Sequence, residues 1–280
     1  MELTLASFLN TPWGMAVFIL ADIAVFLAIV ALNYRWFFKR FFDILFSAVF
    51  LAVFSPFFLI FLAVSAIYNR VVNAYPALFE KLVFCGKKGK AFAMTVFATE
   101  RVLHDAEGGL LPEEERMTKF GKFVKGCGIK YYPLLASVFM GKMSFVGPRP
   151  LTLADAAAVS EEDKVRFSVR PGLVNSLARY GGEKLTYDDM FEEDAEYVAH
   201  INFFRDISFF MTRFAQKVRG DKVNYLGEVS EKSYLEVLLA DGKIAPEEAE
   251  AFRADAAARE ARRDAARNER ERFERRNLFR

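Results

Sequence analysis

Between Glu115 and Asp155 the chain carries no acid, and the charged side chains there are all basic, Lys125, Lys130, Lys142 and Arg149 among them. Such a stretch has no carboxylate with which to attack phosphorus or hold a hard cation. It can bind an anion instead: an arginine fork meets two phosphate oxygens at once, and a lysine adds a point charge. Arg149 stands between Pro148 and Pro150, so the bracing of a turn explains it equally well. Other reactive residue types are sparse. Cys85 and Cys127 lack metal-ligand spacing and are too few for a disulfide framework, which fits a reducing, cytosol-facing bulk. His104 and His200 have no matched partner and read as surface residues, while Lys87, Lys88 and Lys90 read as a solvated basic turn, with contact to anionic lipid as the alternative. A net charge of only +2 and the lack of any zinc-spaced or nucleic-acid motif exclude nucleic acid as a partner.

The elements that must position these residues follow from how apolar and charged material is segregated. The chain of 280 residues is 53% hydrophobic yet 26% charged. Trp13 to Leu32 is almost wholly apolar and long enough to cross a ~30 Å hydrocarbon core as a helix. Residues before it carry only Glu2, which does not make a basic signal-peptide n-region, so the helix is expected to be retained. Arg35, Lys39 and Arg40 follow it at once and place that end in the cytoplasm. Asp22 interrupts the run, at an insertion cost on the order of 2.5–3.5 kcal/mol unless it protonates or finds a partner. A second apolar run, Ile44 to Tyr68, holds Ser55-Pro56 at its centre, where proline removes a backbone donor and the serine hydroxyl can satisfy the carbonyl so freed. Two readings stand: a kinked crossing, or a re-entrant helix that leaves by the leaflet it entered. Basic residues on both sides favour re-entry. Residues 71–227 read as an α/β or α+β globular domain, and residues 228–280 as a helical extension in which Pro246-Glu247-Glu248 opens a long solvated Ala/Glu/Arg helix without a sustained heptad.

In order and spacing, a series of short motifs resembles the bacterial sugar transferases, monotopic membrane enzymes that move a sugar-1-phosphate from a nucleotide sugar to polyprenyl phosphate. Lys39-Arg40-Phe41-Phe42-Asp43 is similar to the family's entry to its membrane helix, Ser55-Pro56 to its helix-breaking pair, and Thr118-Lys119-Phe120-Gly121 to its threonine-led turn. Gly141 to Pro150 is close to the most specific signature, Arg170-Pro171-Gly172 to a later basic-Pro-Gly element, and Tyr197-Val198 with Asp206-Ile207 and Thr212 to the closing segment. Residues 1–34, a transmembrane helix by length and hydropathy, lie outside the resemblance, which implies 35–70 as a re-entrant Ser-Pro helix and a globular part on the cytoplasmic face of the bacterial inner membrane.

The chemistry departs from the family. Its members carry an adjacent Asp-Glu pair in a Leu-Asp-Glu-Leu-Pro stretch, the Asp acting as nucleophile and magnesium neutralising the pyrophosphate. Here that stretch reads Ile129-Lys130-Tyr131-Tyr132-Pro133. A strand that carries two cations in the family reads Val96-Phe97-Ala98-Thr99-Glu100, two polar positions fall near Leu82 and Phe84, and an aspartate is Lys142. The resemblance leaves Arg149, Arg170, Lys125 and Lys130 as anion-binding candidates; if Lys130 points into the old site beside Arg149 and Arg170, the pocket becomes a metal-free anion site. In the competing picture Leu82, Phe84 and Val96 fill the former substrate space. The implied function is a non-catalytic pseudoenzyme of surface-glycan assembly, without metal, acting as a scaffold for an active sugar transferase or another assembly protein and possessing a pocket suited to polyprenyl phosphate. The alternative is active transfer with magnesium, and a third reading is an unrelated membrane role on a reused scaffold.

Overall fold

A computed structural model describes residues 8, 11–72, 78–101, 103, 113–180, 185–219, 229 and 232–278. The surface position expected for His104 and the boundary expected at Gly227 lie outside these residues.

Helix α1 (Pro12–Asn33) starts where Thr11 accepts a hydrogen bond from the Gly14 amide at 3.0 Å and Pro12 takes the first helical position, which needs no donor. A π-turn at Tyr34–Phe38 leads directly into α2 (Lys39–Val72). The helical run Pro12–Arg70 is 59 residues long and apolar enough to cross a bilayer. At ~1.5 Å per residue it extends roughly 90 Å, about three times a hydrocarbon core, so one straight crossing does not account for it. Asp22 is exposed on α1 and has no ion-pair partner among the described residues. Helical conformation continues through Pro56, and the Ser55 hydroxyl donates to the Ala52 carbonyl at 2.9 Å, the acceptor that proline leaves without a backbone donor.

One side of α2 lies on the globular body along most of its length. Asp43 and Ser47 are buried, the Tyr132 hydroxyl donates to the Leu51 carbonyl at 2.7 Å, Phe58 stacks on Tyr132 with centroids 4.4 Å apart, and Tyr68 stacks on Phe120 at 4.8 Å. The opposite side presents Val49, Val53, Phe57, Ile60 and Val64, all exposed.

In the body, β1 (Phe79–Cys85) and β2 (Ala91–Phe97) form an antiparallel hairpin closed by the turn Lys87–Gly89, in which Gly89 takes φ +70°. Helices α3 (Glu113–Arg116), α4 (Lys119–Cys127) and α5 (Leu134–Phe139) follow. Strand β3 (Ser144–Val146) pairs in parallel with β5 (Gly172–Val174), while β4 (Leu151–Thr152) pairs with β1, so the larger sheet has the order β2-β1-β4 and β2 has no second strand neighbour among the described residues. The chain ends with α6 (Leu153–Ala157), α7 (Tyr187–Ala199), α8 (Phe203–Arg219), α9 (Tyr234–Ala240) and α10 (Pro246–Leu278).

Leu153, Leu177, Met190 and Leu238 form the main core. Leu238 belongs to α9, and the Leu235 amide donates to Asp155 at 3.0 Å, so the first helix of the C-terminal extension is part of the body. Helix α10 begins packed, with Ala249 fully buried, and becomes solvated, with Arg267–Glu271 at 2.7 Å and Arg270–Glu274 at 2.9 Å pairing at four-residue spacing.

Candidate functional site

Thr118 starts α4 by accepting from the Gly121 amide at 2.8 Å. A Cβ at Gly121 would sit 2.1 Å from the Thr99 carbonyl oxygen, so this turn can lie against the end of β2 only with glycine there. Helix α4 stops at Gly128, whose φ of +79° lets the chain reverse into the tight turn Ile129–Tyr131. That reversal carries Lys130 back to the end of β2. Its ammonium lies 3.3 Å from one oxygen of Glu100, whose other oxygen lies 3.1 Å from Arg116. Lys130 is only 9% exposed. Tyr131 is exposed, and Tyr132 is the ring that fastens α2. Magnesium needs several oxygen ligands, and the carboxylate next to Lys130 already faces two cations, so these residues do not fit the metal.

A second concentration of charge surrounds a cavity of about 330 Å³ at the junction of α1 and α2, lined by Arg35, Lys39, Arg40, Lys87 and Arg170. The π-turn sets Arg35 at its mouth. Arg40 donates to the Val138 and Phe139 carbonyls, both at 2.7 Å, at the end of α5, where a helix favours a cation. Arg170 is oriented by its Nε, which donates to the Gly141 carbonyl at 2.7 Å. Lys39 donates to the Val146 carbonyl at 2.9 Å and pairs with Asp206, which also accepts from Tyr34 at 2.7 Å and Tyr197 at 2.8 Å. The cavity's acid is Asp43, and its carboxylate is engaged by the Ser144 hydroxyl at 3.0 Å and the Phe145 amide at 2.9 Å. Among the described residues no carboxylate pairs with Arg35, Lys87 or Arg170. The Lys87 ammonium is held below the ordinary lysine range by burial and then by Arg170, Lys88 and Arg35. An anion entering this cavity relieves that repulsion.

The four anion-binding candidates are therefore not assembled into one site. Arg170 lines the cavity, Lys130 is tied to Glu100, and Lys125 lies half-buried in the last turn of α4. Arg149 donates to the Val229 carbonyl, while its own carbonyl accepts from Arg166 at 2.6 Å. It braces the segment between its prolines. Of the two pictures left open for Lys130, the one that sets it beside Arg149 and Arg170 is not what the structure shows of its pairing: its partner is Glu100, which compensates its burial. Of the residues expected to fill the former substrate space, Val96 and Phe84 pack with Leu134 and Val138, whereas Leu82 is exposed. His200 is exposed as expected.

Sequence reasoning missed Glu100 as the partner shared by Lys130 and Arg116, and Arg35 and Lys39 as cavity walls.

This architecture and motif order are those of a bacterial sugar transferase: the model of that family matches residues 34–220, and the chain belongs to it. Among its relatives, the uncharacterized sugar transferase EpsL of Bacillus subtilis is 35% identical over 130 residues, covering 46% of this chain and 64% of EpsL. Galactosyl transferase CpsE of Streptococcus agalactiae is 29% identical over 146 residues, 47% of this chain and 32% of CpsE. The UDP-glucose:undecaprenyl-phosphate glucose-1-phosphate transferase of Escherichia coli is 27% identical over 164 residues, 55% of this chain and 35% of that enzyme. The chain thus spans less than two thirds of the length of each of these relatives.

Proposed function

We propose that this chain is a non-catalytic member of the bacterial sugar transferases, retained in surface-polysaccharide assembly for membrane placement and partner contact. The carrying observation is the buried ion pair of Lys130 with Glu100, itself shared with Arg116, at the position where the family places its nucleophilic acid. An ammonium held there cannot attack phosphorus as a carboxylate does, and it repels the metal that would neutralise a pyrophosphate. The protein works without magnesium on this reading. Its partner is an active sugar transferase or another protein of the same assembly.

The globular body sits on the cytoplasmic face of the bacterial inner membrane, with α2 entering and leaving by that face. Three features support this placement. Arg35, Lys39 and Arg40 cluster at the foot of α1. Both halves of α2 contact the body, through Asp43 and Ser144 at one end and Tyr68 and Phe120 at the other. Helix α8 exposes Phe204, Ile207, Met211 and Phe214 at three- and four-residue spacing, as a helix lying in the interface does. The cationic cavity then lies at headgroup level, where the phosphate of polyprenyl phosphate, the carrier that relatives' names mention, fits its charge.

Deletion of the gene in its source organism tests the reading. Loss of surface polysaccharide should be restored as well by Lys130→Arg/Tyr131→Phe as by the native chain, because the double variant keeps the ion pair and ring while removing the amine and the phenol. A double variant that accumulates in the membrane yet restores nothing would overturn it.

A further inference from the structure

Helix α1 is fixed to the body at its foot, where Val30 and Tyr34 are buried with Val146, Tyr197 and Phe209. Above the foot every residue from Met15 to Ile29 is exposed. Asp22 is the only charged side chain between Pro12 and Asn33. At ~1.5 Å per residue it stands roughly 15 Å from either end of the helix, the mid-depth of a ~30 Å hydrocarbon core. It has no hydrogen-bond or ion-pair partner among the described residues. An acid at that depth is unfavourable beside lipid, and such residues face a partner that hydrogen-bonds them.

The position of Asp22 on the helix says which side the partner covers. Met15, Phe18, Asp22, Val25, Ile29 and Leu32 follow one another at alternating three- and four-residue spacing, the seam of a two-helix coil, and all are exposed. Every side of α1 is apolar, so the acid alone selects this stripe. Ala24 and Ala31 lie on the opposite side. Val30, which rests on the body, comes eight residues after Asp22 and so points about 80° of helix rotation away from it. The seam is therefore not the side by which α1 is attached.

We infer that α1 pairs with α1 of a second copy of this chain along this seam, the two Asp22 carboxyls meeting at the middle of the membrane. A two-fold axis along the membrane normal brings equivalent residues together at equal depth, so a second copy supplies the polar partner with no other protein required. Two facing carboxyls that hold a proton between them donate and accept across the seam, and the pair then carries no two like charges. Any shifted register returns each acid to lipid, so this one polar side chain sets the register. Helix α1 precedes residues 34–220, and the pairing is thus built by a segment outside the family match. It rests on α1 crossing the bilayer and stands whether or not the chain transfers sugar.

The test is oxidative cross-linking of the full chain in native membranes. Exposed Cys127 is replaced by serine, Cys85 is left because it is buried, and one cysteine is introduced at a time. Val25→Cys and Ile29→Cys cross-link into dimers, whereas Ala24→Cys and Ala31→Cys on the opposite side do not. Sedimentation equilibrium in detergent supplies the second readout. Asp22→Leu weakens self-association by about tenfold, while Asp22→Asn, whose amide both donates and accepts, keeps it. Equal cross-linking on both sides, native self-association in Asp22→Leu, or a native chain that stays monomeric would overturn the inference. Ready labelling of Asp22→Cys by a water-soluble maleimide would remove the crossing itself, and the inference with it.

Discussion

Around Lys130 charge is matched, and around Arg170 it is not. Lys130, Glu100 and Arg116 form a chain of alternating sign, largely closed to water. Arg35, Lys87 and Arg170 converge on a cavity whose acid, Asp43, is occupied by Ser144 and the Phe145 amide. A cation that replaces a catalytic acid and acquires its own counter-charge has become part of the structure. Cations brought together without one weaken the hold of Lys87 on its proton and leave the cavity attractive to an anion. On the proposed reading the difference separates group transfer, given up at position 130, from attraction of anions, retained at the junction of α1 and α2.

The comparison can be broken at a buried ion pair of the cavity wall. Lys39 belongs to the cationic cavity but is matched by Asp206, which Tyr34 and Tyr197 also engage. Asp206→Ala should strand that lysine and cost roughly 3–5 kcal/mol, read by thermal or denaturant unfolding in detergent. A loss below ~1 kcal/mol would mean that the network does not hold α2 to the body.

A smaller effect is expected at the matched site. Lys130→Ala removes one of two cations from Glu100 and should destabilise by roughly 1.5–3 kcal/mol, near the lower end because Arg116 remains. Lys130→Ala combined with Glu100→Ala should cost less than the sum of the single changes. Additive costs would show that the pair is not coupled.

The smallest effect sharpens the unmatched side. Burial and neighbouring cations hold Lys87 below its ordinary value of 10.5, so in the empty protein the unfolded chain binds this proton more tightly. The contribution of Lys87 to stability therefore rises with pH across the window between the lowered value and 10.5. A bound anion raises the Lys87 value again, which makes binding take up protons and weaken as pH climbs through that window. Titration of the protein with inorganic pyrophosphate at a series of alkaline pH values checks the slope, and Lys87→Arg should flatten it. A slope unchanged in that variant would place the anion elsewhere.

Much of the fold was legible in the sequence because it depends on local rules. The hydroxyl of Ser55 takes over the carbonyl freed by Pro56, Pro246 opens a long helix, and Gly121 closes the threonine-led turn that starts α4. The site was less legible because its members meet only through tertiary packing. Glu100 and Lys130 are 30 residues apart and meet because a left-handed glycine reverses the chain. Arg35, Lys87 and Arg170 come from a helix foot, a hairpin turn and a strand approach that no spacing rule connects. The helix at Tyr234–Ala240 is apolar enough to read as an appendage, and only contact with Leu153 and Met190 reveals it as core.

The most direct measurement of the central claim is transfer of labelled sugar phosphate from common UDP-sugars to polyprenyl phosphate, made with the purified native chain and with Lys130→Ala, each with magnesium and with EDTA. The account predicts no turnover above the protein-free background in any of these four conditions. Magnesium-dependent turnover by the native chain that Lys130→Ala abolishes would contradict it.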